Sequence, residues 1–180
     1  MSDPLRPAVL FDRDGVLNID NGYTHKVEDL AWTPGAREAI KRLNDAGVLV
    51  LVVTNQSGVA RGYYDQATVD AFHAAMQAEL AVVGARFDGV YACPYNATGA
   101  VERYIHPDHP DRKPNPGMLL RAMAEHGADP ARTVMIGDKG SDLEAARRAG
   151  VEGVRYHHGT DLDALIVSLL PRLVSPPAQG

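Results

Sequence analysis

Short apolar runs alternate along the chain with longer amphipathic stretches, and most runs end abruptly in polar or glycine residues. The runs predict five strands, at 8–11, 48–53, 88–93, 133–136 and 153–156. The stretches between them predict helices that begin after Pro34 and cover about 65–83, 116–126, 141–149 and 161–173. Solid apolar strands alternating with helices are typical of a doubly wound parallel sheet. We therefore predict a Rossmann-like α/β fold.

Chain length and composition fit one globular domain. The chain has 180 residues, of which 45% are apolar and 23% charged, as in an ordinary soluble protein. We expect a single domain over 1–174 and a polar tail over 175–180 that frays. Two longer stretches, 18–33 and 94–114, show no regular pattern, and we expect them to be loops.

Charge and cysteine content exclude several kinds of partner and compartment. The formal net charge of -5 gives no reason to expect a nucleic acid or an anionic membrane as partner. The single cysteine, Cys93, cannot form an intrachain disulfide, which suits a reducing compartment. No signal peptide precedes the first strand, and no apolar run approaches the roughly 20 residues that cross a bilayer. We expect a soluble cytoplasmic monomer.

Polar side chains follow three of the predicted strands at the point where each strand ends. Asp12 and Asp14 follow the first strand, Thr54 and Asn55 the second, and Asp138 the fourth. Ligands in such sheets bind beyond the carboxyl ends of the strands, so we expect these residues to meet at one edge.

Two acids separated by one residue favour a cation site at that edge. In extended chain the carboxylates of Asp12 and Asp14 point to the same side, and Gly15 lets the backbone turn away. Close carboxylates repel unless they share a proton or bind a cation, and Mg²⁺ prefers such oxygen ligands. Asp138 would add a third oxygen. The motif alone is equally consistent with a solvated turn, and the convergence with Thr54 favours a site.

Such a site allows two chemistries. A metal-bound water could hydrolyse the substrate, or a carboxylate could attack it directly. Direct attack suits phosphoryl transfer, where neutralising the phosphoryl oxygens dominates catalysis. Thr54, Asn55 and Lys113 offer donors for those oxygens, and Asp14 would act as general acid and base.

Four ordered motifs resemble those of haloacid-dehalogenase-type (HAD) phosphatases, over about residues 8–156. They are Phe11-Asp12-Arg13-Asp14-Gly15, Val53-Thr54-Asn55-Gln56-Ser57, Arg112-Lys113-Pro114 and Ile136-Gly137-Asp138-Lys139 with Asp142. Longer matches that include Asn21-Gly22-Tyr23 and 54–62 resemble the D,D-heptose 1,7-bisphosphate 7-phosphatase branch, to which histidinol-phosphate phosphatases are close.

The resemblance implies a role for each matching residue. Asp12 would be the nucleophile that forms an aspartyl-phosphate, and Asp14 the general acid/base. Mg²⁺ would be bound by Asp12, the backbone carbonyl of Asp14 and Asp138. Asp142 would orient a metal-bound water or Lys139. Phosphate and substrate contacts would come from Thr54, Asn55, Gln56, Ser57, Arg112, Lys113, Lys139, Asp20, Asn21, Gly22 and Tyr23.

The chain departs from the family at a structural zinc site in the long loop. Cys93 is kept, but Tyr95, His109 and Asp111 stand at the other three ligand positions. A tetrahedral site needs four competent donors, and tyrosine is a poor one. We expect no structural zinc and a loop held by its own packing, although a degenerate site that uses His106 or Asp108 stays open.

Without long insertions the chain has no separate cap domain, so the two loops must shape an open entrance. An open entrance suits a phosphorylated sugar, and Arg112 could bind a second anionic group. The leading hypothesis is a heptose bisphosphate phosphatase, with histidinol phosphate as the alternative substrate. A phospho-accepting switch module and a non-catalytic scaffold are the hypotheses from other classes.

Overall fold

The computed structural model describes residues 4–175, and a sheet of five parallel strands lies at its centre. The strands are β1 (Arg6–Phe11), β2 (Leu49–Asn55), β3 (Gly89–Cys93), β4 (Ala128–Gly137) and β5 (Glu152–Arg155). The α-helices are α1 (Ala36–Asp45), α2 (Gly58–Arg61), α3 (Gln66–Val82), α4 (Gly117–His126), α5 (Gly140–Ala149) and α6 (Leu162–Val174). The strand order is β3-β2-β1-β4-β5, which confirms the predicted doubly wound α/β fold. Of the tail expected to fray at 175–180, only Ser175 lies among the described residues.

Strand β4 is longer than the apolar pattern predicts. It begins at Ala128, which pairs with Arg6, and after an irregularity the ladder resumes between Ala8 and Thr133. The pattern missed this extension because only Ala128 of its five residues is buried. Helix α2 and two 3₁₀ turns, Val27–Asp29 and Glu102–Tyr104, were also not predicted, since elements this short carry no periodic signal.

The alternation of side chains along β1 builds a core on each face of the sheet. Val9 and Phe11 join the larger cluster, in which the sheet packs against α1, α3 and α6. Ala8 and Leu10 point the other way into a cluster with residues of α4 and α5. All four side chains are fully buried, so β1 is held firmly between two layers.

Helix ends follow local sequence chemistry. Asp65 caps α3 by accepting a hydrogen bond from the Thr68 amide at 2.8 Å, as its position predicted. Gly127 ends α4 at a φ of +63°, a left-handed conformation that glycine adopts without strain. Within residues 4–175, none of the helices has the length and apolar character that a membrane crossing requires.

The strand order brings the polar strand ends together. Strand β1 lies between β2 and β4. Asp12 and Asp138 directly follow β1 and β4, and Asn55 is the last residue of β2. The Asp12 amide donates to the Ile136 carbonyl at 3.0 Å, which fixes the start of the acidic segment against β4. The predicted convergence at one sheet edge is confirmed.

Candidate active site

A buried lysine ammonium lies at the centre of the site. Lys113, only 3% exposed, comes from the loop before α4. Its Nζ atom is 2.8 Å from Asp12 Oδ1 and 2.7 Å from Asp142 Oδ1, and it donates to the Val53 carbonyl at 2.8 Å. The three oxygens satisfy all three donors of the ammonium. Burial opposes its charge, but the carboxylates of Asp12 and Asp142 raise the pKa of Lys113.

Asn55 fixes the main chain of this lysine. Its Nδ2 donates to the Lys113 carbonyl at 3.0 Å, and its Oδ1 accepts from the Lys113 amide at 3.1 Å. This paired contact anchors the long loop to the end of β2, so the amide of Asn55 is used mainly to place Lys113.

The surroundings of Asp12 disfavour the ionised form of its carboxyl group. Burial raises its pKa to about 7, the Lys113 ammonium opposes the shift, and the Asp142 carboxylate adds to it. A nucleophilic carboxylate has to be ionised. A cation bound against Asp12 would favour that form.

Asp14 is held by donors on both carboxylate oxygens. Its Oδ1 accepts from Arg13 Nε at 3.0 Å, from Arg13 Nη2 at 2.8 Å and from Asn18 Nδ2 at 3.0 Å. Its Oδ2 accepts from Gln56 Nε2 at 3.0 Å. The Asp14 side chain is still 16% exposed, so it is oriented and also accessible from the pocket.

Arg13 is a site residue that sequence reasoning missed. Its side chain is 1% exposed and donates to the Thr24 carbonyl at 2.6 Å as well as to Asp14. It also donates to His73 Nε2 at 3.1 Å and lies 4.4 Å from the centroid of the Phe72 ring. Arg13 therefore connects the acid at position 14 to the 18–33 loop. Its place between two acids was the only available signal.

Thr54 lies behind the pocket and does not line it. The side chain is buried, and its Oγ1 accepts from Gln56 Nε2 at 2.9 Å. Gln56 in turn accepts from the Tyr64 hydroxyl at 2.8 Å. Thr54 and Tyr64 thus hold the amide that donates to Asp14.

Asp12, Asp138 and Asp142 form a group that could hold a metal ion. One carboxylate oxygen from each lies within 4.8 Å of the other two. Asp138 Oδ2 is 2.8 Å from His158 Nε2, whereas its buried Oδ1 has no hydrogen-bond partner among residues 4–175. A buried acceptor without a partner is costly, and an ion would satisfy it. Asp142 uses Oδ1 on Lys113 and accepts from the backbone amide of Lys139 through Oδ2.

Charge balance points to the same conclusion. The cluster contains four carboxylates and two buried cations. The carboxylates are those of Asp12, Asp14, Asp138 and Asp142, and the cations are Lys113 and Arg13. With all of them ionised the cluster carries a net charge of −2. A divalent cation neutralises that charge and makes room for an anionic substrate.

Two connected cavities lie above this cluster. An inner cavity of about 40 Å³ touches Asp12 and Asp142. An outer pocket of about 400 Å³ shares Asp14, Asn55, Lys113, Lys139 and Ser141 with it. The outer pocket is also lined by Asp20, Gly22, Tyr23, Gln56, Ser57, Tyr64 and Arg112. Asn21 is exposed beside the outer pocket, and its backbone amide donates to Thr24 Oγ1 at 2.9 Å. Two lining residues, Ser141 and Tyr64, were not predicted from the sequence.

The residues at the family's zinc positions make contacts of their own. Cys93 is buried at the end of β3, and burial raises the pKa of its thiol. The rings of Tyr95 and His109 are stacked, with centroids 3.9 Å apart. His106 Nδ1 accepts a backbone hydrogen bond from Asp108 at 3.1 Å. The absence of zinc stays a prediction.

Comparisons with a family model and with known proteins agree on one protein family. A family model for HAD-hydrolase-like proteins matches residues 111–173. The D-glycero-beta-D-manno-heptose-1,7-bisphosphate 7-phosphatase of Rhodopseudomonas palustris is 44% identical over 94% of this chain and 93% of its own. The corresponding protein of Thermosynechococcus vestitus, named as the D-glycero-D-manno-heptose enzyme, is 45% identical over 86% of this chain and 80% of its own.

A solved structure agrees with these relatives. The D,D-heptose 1,7-bisphosphate phosphatase of B. bronchiseptica, complexed with magnesium and phosphate, superposes with a TM-score of 0.76. It is 32% identical, and the match covers 92% of this chain and 98% of that one. The resemblance inferred from the four motifs is confirmed. The chain is a phosphatase of the HAD superfamily and belongs to the family of the heptose-1,7-bisphosphate 7-phosphatases.

Proposed function

We propose that this phosphatase removes the 7-phosphate of D-glycero-D-manno-heptose 1,7-bisphosphate in a Mg²⁺-dependent reaction. The observation that carries the proposal is the buried contact of Lys113 with Asp12 and Asp142 on the floor of a pocket that Arg112 also lines. The names of the relatives support the same substrate.

Asp12 is the proposed nucleophile. Its carboxylate attacks phosphorus, the bond from phosphorus to the sugar oxygen breaks, and an aspartyl-phosphate forms. Asp14 gives its proton to the departing sugar oxygen and then takes a proton from the water that hydrolyses the intermediate. Arg13 and Asn18 occupy Oδ1 of Asp14, which leaves Oδ2, with its single donor from Gln56, to carry the proton.

Mg²⁺ fits the acidic cluster and would be held by Asp12, Asp138 and the backbone carbonyl of Asp14. Asp138 Oδ1, which accepts no hydrogen bond from the described part of the chain, supports this set. When bound, the ion supplies charge neutralisation for the phosphoryl oxygens. Both oxygens of Asp142 already accept hydrogen bonds, so we assign it the placement of Lys113 and of the Lys139 backbone.

The phosphoryl group is proposed to occupy the inner cavity. Lys139 and Ser141 line it and, together with Asn55, offer donors to the phosphoryl oxygens. Lys113 also lines it and contributes its positive charge, since its three donors are used by Asp12, Asp142 and Val53. We assign Thr54 an indirect role through Gln56, because its hydroxyl is buried and bonded to that amide.

The outer pocket is proposed to hold the sugar, between Asp20, Asn21, Gly22 and Tyr23 of one loop and Arg112 of the other. A heptose bisphosphate presents a second phosphate to Arg112, whereas histidinol phosphate presents a cationic amine that a guanidinium repels. This difference favours the bisphosphate.

A substrate comparison tests the proposal. We would measure kcat/KM for heptose 1,7-bisphosphate, heptose 7-phosphate and histidinol phosphate, each with Mg²⁺ and with EDTA. We expect the bisphosphate to be the preferred substrate and EDTA to abolish turnover. A tenfold or larger preference for histidinol phosphate would refute the substrate. Failure to turn over any phosphate ester would favour the switch module or the scaffold.

We further propose that residues 1–174 act as one catalytic unit, as a cytoplasmic monomer without structural zinc. Light scattering should give a mass near 19.4 kDa, and a multiple of it would contradict the monomer. Elemental analysis of the purified protein should find no stoichiometric zinc.

A further inference from the structure

The closest aromatic pair among residues 4–175 lies in the long loop, away from the reacting centre. The rings of Tyr95 and His109 have centroids 3.9 Å apart and planes that differ by 5°. Tyr95 also packs against the buried cluster that includes Cys93 and Leu119. The core therefore holds the tyrosine ring, and the tyrosine ring holds the histidine.

Both members of this stack bond to Arg112. The guanidinium Nη1 of Arg112 donates to the Tyr95 carbonyl at 3.2 Å, and the Arg112 amide donates to the His109 carbonyl at 3.0 Å. The two ends of the arginine are thus tied to the two halves of the stack. The guanidinium keeps its remaining donors for the pocket that it lines.

The histidine is held in its stacked orientation by its neighbours. His109 Nδ1 accepts from the Asp111 amide at 3.1 Å, and its carbonyl accepts from Asn115 Nδ2 at 3.0 Å. Burial lowers the pKa of His109, and the Asp111 carboxylate opposes this shift. The lowered pKa favours the neutral ring, whose Nδ1 can accept a hydrogen bond. His106 packs edge-on at 5.1 Å.

We propose that the stack of Tyr95 on His109 positions Arg112 and thereby sets the affinity for the second phosphate of a bisphosphate substrate. Neither ring touches the reacting atoms, so both are positioning residues. The inference rests on the proposed function. Without the stack the 94–114 loop loses its packed support near Arg112, and the guanidinium has to be ordered when substrate binds.

Three variants and two substrates test this role. Tyr95→Ala removes the ring but keeps the carbonyl that accepts from Arg112, Tyr95→Phe keeps the ring, and Arg112→Gln removes the guanidinium. The substrates are heptose 1,7-bisphosphate and heptose 7-phosphate, which lacks the second phosphate. For Tyr95→Ala we expect KM to rise about three- to tenfold on the bisphosphate only, at unchanged kcat. Tyr95→Phe should behave as wild type.

A double variant and a matched control separate positioning from general damage. Tyr95→Ala combined with Arg112→Gln should have the KM of Arg112→Gln alone, because the stack acts through that guanidinium. Tyr91→Ala removes a half-buried tyrosine of β3 that packs against the same core cluster, and it should change neither KM. If Tyr95→Ala does not fold, His109→Ala removes the same stack from its other side.

The outcomes distinguish this inference from the proposed function. Equal KM increases on both substrates, or multiplicative effects in the double variant, would overturn the positioning role and leave the function intact. Failure of the wild type to hydrolyse either heptose phosphate would refute the proposed function and the inference with it.

Discussion

Replacing His73 by glutamine should flatten the pH dependence of stability. His73 lies on α3, and its Nε2 accepts a hydrogen bond from Arg13 at 3.1 Å. Burial, and then the charge of Arg13, lower the pKa of His73 from 6.5 to about 4. Glutamine offers a similar acceptor to Arg13 but does not titrate.

The size of the effect follows from the two pKa values. Between pH 6.5 and 4, His73 is protonated in the unfolded chain but neutral in the folded protein. The unfolded state is therefore stabilised relative to the folded state as the pH falls. This lowers the free energy of unfolding by about 2 kcal/mol between pH 7 and pH 5. The loss approaches about 3 kcal/mol below pH 4, where the folded protein also takes up the proton.

Urea unfolding in EDTA at pH 7 and pH 5 measures this difference. Relative to wild type, His73→Gln should lose about 2 kcal/mol less over that interval, whatever its stability at pH 7. The matched control is His157→Gln, a change at an exposed histidine, which should follow wild type. Parallel profiles for wild type and His73→Gln would refute the assignment of a neutral, buried His73 beside Arg13.

Three further predictions concern the reacting centre. Lys113→Met should reduce kcat/KM by about a hundred- to a thousandfold, because removing one preorganised donor at a reacting centre costs about 2.7–4 kcal/mol of transition-state stabilisation. Activity within tenfold of wild type would contradict this. Gly15→Ala should weaken Mg²⁺ activation, because the added Cβ would lie 2.6 Å from Asp138 Oδ2. The matched control is Gly47→Ala, where φ is similar but the space around the Cβ is open, and this variant should lower stability only. Mg²⁺ at a hundred times its Kd should raise the free energy of unfolding by about 2.7 kcal/mol, and an unchanged urea midpoint would exclude a specific site.

The sheet and the acidic edge could be predicted because both follow from local pattern and chain topology. Apolar runs fixed the positions of the strands, and parallel strands bring their carboxyl ends to one edge. Asp12, Thr54 and Asp138 each directly follow one of the predicted apolar runs, so their convergence could be inferred from the sequence. Lys113 comes from a loop, and only its motif suggested that it joins them.

Contacts inside the site could not be predicted, because they depend on where side chains turn. Arg13 folds back on Asp14 and is buried against α3, and no role for it was predicted from the motif that contains it. Asn55 bonds the main chain of Lys113, and a strand-end amide does not show which partner it will find. The stacked rings in the long loop are separated by more than ten residues of irregular chain, which carries no periodic signal.

Trapping the phosphorylated enzyme tests the central claim most directly. Acid quenching during steady-state turnover of heptose 1,7-bisphosphate, followed by peptide mass spectrometry, should find one phosphoryl group on the peptide that contains Asp12. Asp12→Asn should show neither the phosphopeptide nor turnover. A phosphoryl group on another residue, or turnover retained by Asp12→Asn, would contradict the assignment of Asp12 as the nucleophile.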